Sequence, residues 1–438
     1  MKPRVSSSQD GWVDPTKGTV SRDVFTSNDI FRRELDQIFN RSWIYLAHET
    51  EIPSVGNYVA RSLGDAPVIV IRGAENSINA LLNSCRHRGA KLCRADSGTV
   101  RSRFICPYHG WNYDRDGRLV TTTFDSMLPA NMDFGQWGLI RVPKVESYKG
   151  LIFGCWDSDV ASLSDYLGDF RWYLDAFVAR SPGNMEVIGP PHRWRLKANW
   201  KLGALNFIGD GQHIMTTHKG PIALDPLRSV RAVTPADKSV QIMTDGGHGC
   251  TLTYLAPSMP DSAYHTHPSD LIPLYESTLK PEQSKLLEHL RVVVGNVFPN
   301  FSFIESQAGP GEKAVIIRLW HPISGTEMEV MSWVLVEREA SPGYKARMLK
   351  NGSHNFGVSG VFEQDDVELW EAATAASDNT IARQFPYSFH SAALYREKPL
   401  ADYEGPGRAY RPSTSEVTQF EFMCHWNGLM TSNDRPRP

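Results

Sequence analysis

The sequence predicts an α+β protein: a small all-β module, and a larger domain in which an antiparallel sheet is flanked by helices. Three observations carry this. Short β-rich runs broken by turn signals fill the stretch from Gly56 to about residue 156, longer strand-like runs recur between Arg193 and Glu337, and helical patterns lie before and after those runs.

Taken in order, Ser27-Asn28-Asp29-Ile30 offers capping oxygens ahead of Phe31, Leu35, Ile38 and Phe39, the i, i+4, i+7, i+8 spacing of an amphipathic helix. Ala66–Arg72 and Ile78–Leu82 then read as strands, with turns at Gly64-Asp65 and Gly73. Asp165–Ala179 reads as helix. Arg193–Lys197, Cys250–Leu255, Ala314–Trp320 and Glu327–Glu337 read as strands, and Pro281–Leu290, Tyr344–Asn351 and Phe362–Ala376 as helices. The tail from Pro412 onward is expected to be extended. No internal repeat, low-complexity tract or obvious linker interrupts the chain.

At 438 residues the chain can bury more than one core, and its 41% hydrophobic and 11% aromatic content, with 12 Trp, suits a globular interior. Against 49 acidic residues stand 46 Lys and Arg, a formal charge of -3, which supplies no field for a nucleic-acid backbone. No run approaches the roughly 20 apolar residues of a membrane span, and the opening residues lack the apolar core of a signal peptide. The expected compartment is therefore the reducing cytoplasm, where six cysteines are better read as metal ligands or buried hydrophobes than as disulfides.

Two of those cysteines sit beside histidines, in Cys85-Arg86-His87 and Cys106-Pro107-Tyr108-His109. Two such loops side by side can give two sulfurs to one iron and two nitrogens to another. A single zinc is the alternative, but zinc fingers pair Cys with Cys and His with His in each arm. The flanking residues, Arg86, Arg88 and Gly110-Trp111, resemble the Cys-x-His and Cys-x-x-His-Gly-Trp boxes of the Rieske oxygenases. The 18 residues between His87 and Cys106 slightly exceed the family spacing, which an extra loop residue absorbs. Cys93, within that stretch, reads as a small buried hydrophobe, and Cys155, Cys250 and Cys424 have no partner pattern.

A second constellation lies in Asn206-Phe-Ile-Gly-Asp210-Gly-Gln-His213-Ile-Met-Thr-Thr-His218. On a regular helix His213 and His218 point about 140° apart, so convergence on one metal needs a bend, which Gly209 and Gly211 permit. Much later, Asp365-Asp366 supplies carboxylates at the start of a helix. They are partners for the helix dipole, or the third donor of a two-His, one-carboxylate iron site.

Across residues 25–376 these pieces resemble the large (alpha) subunits of Rieske non-haem iron aromatic-ring-hydroxylating dioxygenases such as the naphthalene and biphenyl enzymes. The resemblance implies a Rieske domain at residues 41–157 inserted in a catalytic domain formed by 1–40 and 158–438. It implies Cys85, His87, Cys106 and His109 as [2Fe-2S] ligands, and His213, His218 and Asp366 as ligands of a mononuclear Fe(II). Asp210 is implied as the link between the two centres of neighbouring subunits, in an α3 trimer or an α3β3 assembly with a small subunit. Asn206, Phe207, Ile214, Val292, Val294, Phe356 and Phe362 match pocket positions, while Lys219, Arg228 and Arg231 point weakly to an anionic substituent and read better as solvated surface charge. No nucleotide-binding motif is present, so electrons must arrive from elsewhere; the resemblance implies NAD(P)H as their source through a separate reductase, with a ferredoxin, O2 as co-substrate, and a cis-dihydrodiol of an aromatic hydrocarbon or acid as the expected product. A Rieske monooxygenase, hydroxylating or demethylating, and a Rieske electron carrier are the competing readings.

Overall fold

A computed structural model describes residues 11–224, 236–254, 268–307 and 313–432. The described chain divides into two compact units, one formed by residues 39–163 and the other by residues 11–38 together with 164–432.

The smaller unit is all-β. Ile78–Leu82, Ala66–Arg72, Asn57–Leu63 and Ser97–Thr99 form one antiparallel sheet in that order, and Leu119–Thr121, Asn112–Tyr113 and Phe104–Ile105 form a second. A third joins Lys144–Tyr148, Leu151–Cys155 and Ile44–His48. β-Branched alternation explains the long strands: Val68 and Val70 pair across to Leu82 and Ala80. Ile69, Ile71, Leu81, Trp111 and Tyr113 pack into a core that also takes in Cys85, Cys93 and Cys106. Each large apolar side chain buried there contributes about 1.5–3 kcal/mol.

The larger unit is built on an eight-stranded antiparallel sheet. In spatial order the strands are Met185–Leu196, Glu327–Glu337, Lys313–Ser324, Phe301–Gln307, Leu290–Val297, Gly249–Tyr254, Val240–Met243 and Arg408–Tyr410. The helix Trp200–Gly209, capped by the Asn199 side chain, packs on the central strands, Pro342–Phe356 packs on Lys313–Ser324 and Glu327–Glu337, and Glu363–Ser377 sets Trp370 edge-on to Trp320 at 5.5 Å. The helix at Asn28 is capped by Ser27 as the sequence suggests, and from Leu35 to Phe39 it widens into a π turn. Asp165–Ala179 is helical in three short pieces rather than one.

The tail is the correction. Residues Val417–Thr431 form a helix, not an extended segment. Val417, Phe420, Phe422, Met423, Trp426 and Met430 are all buried, so apolar residues occupy several faces and leave no single stripe for periodicity to reveal. The helix is tied down by Arg33, which donates to the Met430 carbonyl at 2.7 Å, and by Asn427, which accepts from the Trp12 N–H at 2.9 Å. Arg228, Arg231 and the residues beyond Ser432 lie outside the described residues.

One buried ion pair joins three helices of this unit. Lys201 Nζ meets Glu34 Oε1 at 2.5 Å, while the indole N–H groups of Trp200 and Trp426 donate to the same carboxylate at 3.0 and 2.8 Å. Replacing Lys201 with Met leaves the Glu34 charge buried without its cation, and should cost about 3–5 kcal/mol, read as a large fall in the thermal midpoint.

His248 is the second test of the core. It is fully buried, its Nδ1 accepting from the Phe298 N–H at 2.9 Å and its Nε2 donating to the Tyr166 carbonyl at 2.8 Å. Burial holds its pKa down at about 4. Above about pH 6.5 the imidazole is neutral whether the chain is folded or not. Between about 6.5 and about 4 only the unfolded chain takes up the proton, so stability falls as pH falls, by up to about 3 kcal/mol. The thermal midpoint should therefore drop less steeply over this acid window in His248→Asn than in the unsubstituted protein.

Candidate functional site

The two Cys-His loops of the smaller unit have the same backbone hydrogen bonds. Cys85 N–H donates to Ala90 and Gly89 N–H donates back to the Cys85 carbonyl; Cys106 N–H donates to Trp111 and Gly110 N–H to Cys106. Each loop turns through a positive-φ glycine, Gly89 at 74° and Gly110 at 67°. At Gly110 a side chain would also collide with the Thr123 hydroxyl. The loops bring the His87 and His109 rings to 4.5 Å, nearly edge to face, and Trp111 stacks parallel on His87 at 5.1 Å.

These donors fit an iron-sulfur group. His87 Nδ1 is buried with no hydrogen-bond partner among the described residues, as a nitrogen reserved for metal is. Burial pushes the Cys85 thiol up, so its thiolate needs an adjacent cation, and Tyr113 Oη lies 3.3 Å from the sulfur. All six cysteines are free, and Cys93 sits in the apolar core.

In the larger unit the helix Trp200–Gly209 stops at Gly209, where φ is +147° and a Cβ would press on the Thr251 and Thr418 hydroxyls. After this break a single short turn, Ile214–Thr217, separates His213 from His218. The rings end 5.0 Å apart, and both Nε2 atoms face Asp366 Oδ1, at 3.6 Å from His213 and 3.4 Å from His218. Among the described residues, these three are the one set of three or more His, Cys, Asp or Glu donors lying within 4.8 Å of one another. Neighbouring ligands around an octahedral iron are about 3 Å apart, so the separations suit one face of that geometry.

Both histidines carry a carboxylate behind them. Asp210 Oδ1 is 3.5 Å from His213 Nδ1, and Asp365 Oδ2 is 3.3 Å from His218 Nδ1. Such partners orient the imidazole and raise its basicity toward a metal. Burial alone would push His213 down and Asp210 up; their mutual hydrogen bond and charge outweigh it, raising His213 and lowering Asp210. Burial pushes Asp366 up to about 7, a penalty on its carboxylate that a divalent cation among the three donors offsets, and holds His218 down at about 4, which keeps its imidazole in the neutral form a metal ligand needs.

Of the apolar residues expected at the pocket, Phe362 lies directly against one of the three donors. Phe362 meets His218 edge-on at 5.0 Å and stacks near Phe356 at 5.8 Å, while Phe207 packs on Trp320 at 5.0 Å. Phe207, Val292 and Phe356 are buried, Val294 and Phe362 partly so, and Ile214 is 39% exposed. Asn206 brings its amide nitrogen to 3.4 Å from His213 Nε2. Lys219 is exposed. Sequence reasoning weighed Asp365 against Asp366 as the third donor and left the role of Asp365 behind His218 unseen. It also missed Arg318, a charge in the middle of an apolar strand and wholly buried beside Phe207 and Phe356.

Residues 42–131 match the family model of the Rieske [2Fe-2S] domain, and residues 163–431 that of the ring-hydroxylating alpha subunit, catalytic domain. The chain is 34% identical to the N,N-dimethyl phenylurea N-demethylase subunit alpha of Sphingobium sp., over 96% of this chain and 93% of that protein. It is 31% identical to the biphenyl 2,3-dioxygenase subunit alpha of Rhodococcus jostii, over 96% and 91%. The crystal structure of naphthalene 1,2-dioxygenase from Rhodococcus sp. bound to indole superposes with a TM-score of 0.88 at 36% identity, covering 95% of each chain. The zinc and electron-carrier readings are thereby set aside: the chain belongs to the ring-hydroxylating dioxygenase alpha-subunit family, Rieske-type oxidoreductases that incorporate O2.

Proposed function

We propose that this chain is the terminal oxygenase that places both atoms of O2 on adjacent carbons of an aromatic ring, giving a cis-dihydrodiol. The observation that carries the reading is the convergence of His213, His218 and Asp366 beside the Phe356–Phe362 aromatic wall. In this reading the three side chains hold the mononuclear iron, and Cys85, His87, Cys106 and His109 hold the cluster. The bound metals supply O2 activation and one-electron delivery.

The chain's own residues do the rest. Asp365 keeps the His218 imidazole oriented by accepting its Nδ1 proton, and Asp210, which accepts from the His213 backbone N–H, places its charge behind the His213 ring. Phe362, Phe356 and Phe207 give a planar substrate apolar surface and exclude water around the ring being attacked. Asn206 presents an amide beside His213 as a polar contact for substrate or oxygen. We also propose that the working unit is a ring of three chains, in which Asp210 links His213 to His109 of the partner subunit, with or without a small subunit. In support, Asp210 and His109 are each only partly buried in their own unit, and Tyr108 beside His109 is 62% exposed. Electrons are taken to reach the cluster from NAD(P)H through a reductase and ferredoxin.

A second reading rests on the demethylase relative: a single oxygen inserted at an N-methyl carbon, with loss of the methyl group as formaldehyde. Labelled O2 distinguishes the two. Two labelled oxygens on vicinal carbons support ring dihydroxylation; formaldehyde with no ring diol supports demethylation.

Metal content tests the sites themselves. Anaerobically purified protein should hold about three irons and about two acid-labile sulfides per chain. His213→Ala and Asp366→Ala should each lose about one iron and keep the visible Rieske spectrum, and a wild type with two irons overturns the mononuclear site. At the cluster, Tyr113→Phe removes a hydrogen bond to the Cys85 thiolate, which favours the reduced, more negative state. Redox titration should show a lower potential, on the order of 60 mV for each 1.4 kcal/mol of lost interaction.

A further inference from the structure

We infer that Arg318 and Glu363 form a positioning strut for Asp366, clamping the start of its helix so that the carboxylate reaches the two imidazoles. Arg318 lies on the strand Lys313–Ser324, on the sheet face that also bears Trp320, and it is 0% exposed. Its Nη2 donates to the Phe356 carbonyl at 2.9 Å, the last residue of the helix Pro342–Phe356, and meets Glu363 Oε2 at 2.5 Å, the first residue of the helix Glu363–Ser377. One guanidinium therefore holds both ends of the connection 357–362. That connection ends in Phe362, whose ring lies 5.0 Å from His218, and Glu363 stands one turn before Asp366 on the same helix face.

The guanidinium is enclosed by aromatic rings, with Cζ 5.1 Å from the centroid of Phe207, 5.4 Å from Trp320 and Phe356, and 5.5 Å from Trp194. Arg318 Nε and both Glu363 carboxylate oxygens are buried without hydrogen-bond partners among the described residues, so Arg318 and Glu363 meet as an ion pair. An apolar pair of similar volume would avoid both the desolvation and the unmade bonds, so stability does not explain two charges here. Geometry does. From one strand position a single guanidinium nitrogen, Nη2, reaches both a helix C-terminal carbonyl and the carboxylate opening the next helix.

This rests on the mononuclear iron site proposed above, and the test separates the two. Protein depleted of the mononuclear metal is titrated anaerobically with Fe(II), and the electron paramagnetic resonance signal of its nitric oxide adduct is recorded. The proteins compared are the wild type, Glu363→Gln, Arg318→Gln, the double variant, and His213→Ala. If the wild type binds no iron that His213→Ala loses, the iron site itself fails. With that control in place, the strut predicts about tenfold or greater loss of Fe(II) affinity in Glu363→Gln. It also predicts an altered nitrosyl signal and an unchanged Rieske spectrum. Arg318→Gln, which strands the Glu363 charge beside Asp366, should be worse, and the double variant should recover to the Glu363→Gln level. A merely structural pair would lower thermal stability without moving the nitrosyl signal. Wild-type affinity and signal in Glu363→Gln overturn the proposal, whether or not Arg318→Gln folds.

Discussion

Gly209 ends a helix at a backbone angle that a side chain would strain, packed so closely against Thr251 and Thr418 that a side chain would also collide. Its carbonyl accepts from Gln241 at 2.7 Å, and the same amide donates to Ser413 at 2.9 Å, while Ser415 donates to Gln241 Oε1. A sheet strand and the segment before the last helix thus fix where the helix stops. Had it continued, His213 and His218 would project about 140° apart and share no metal. The interruption is what brings a pair of histidines five residues apart side by side, both facing Asp366.

The surroundings of the site are rich in buried charge. Glu34 with Lys201 anchors the start of the helix that leads to Gly209, and Arg318 with Glu363 anchors the start of the helix that carries Asp366. Each pair is wholly buried, and isolated charges at such depth cost several kcal/mol apiece. Both sit at helix N-termini. A first-turn anchor limits the tilt of the entire helix, and a tilt of a few degrees at the first turn displaces a ligand one to three turns along by a large fraction of an ångström. Coordination bonds near 2.0–2.2 Å tolerate little of that.

Legibility in the sequence followed locality. The strands Ala66–Arg72, Ile78–Leu82 and Glu327–Glu337 carry their own β-rich pattern and flanking turns, and the structure has them at those residues. The Cys-His boxes are equally local, since each loop closes on itself within six residues. What stayed hidden depends on contacts far apart in the chain. The helix Val417–Thr431 is buried on several faces and so lacks an amphipathic stripe. Asp365 has meaning only when His218, 147 residues earlier, lies 3.3 Å away. Arg318 did carry a signal, a lone cation in the run Ala314–Trp320, but its partner is visible only once the sheet and the next helix meet.

Ring dihydroxylation and N-demethylation do not divide on the iron donors, because both need two imidazoles, one carboxylate and open positions for O2. They divide on which substrate carbon is held nearest those positions. A flat ring lying along Phe356 and Phe362 presents an edge of two adjacent carbons, whereas an N-methyl group reaches the same point only if the ring is drawn back from it. Phe362 lies beside that point, its ring edge-on to His218 at 5.0 Å and stacked near Phe356 at 5.8 Å, so on the proposed reading its bulk bears on how deep a substrate ring can sit. On the inferred strut, Arg318 would act on the aromatic wall as well as on the carboxylate, since the connection 357–362 that it spans ends in Phe362, four residues before Asp366.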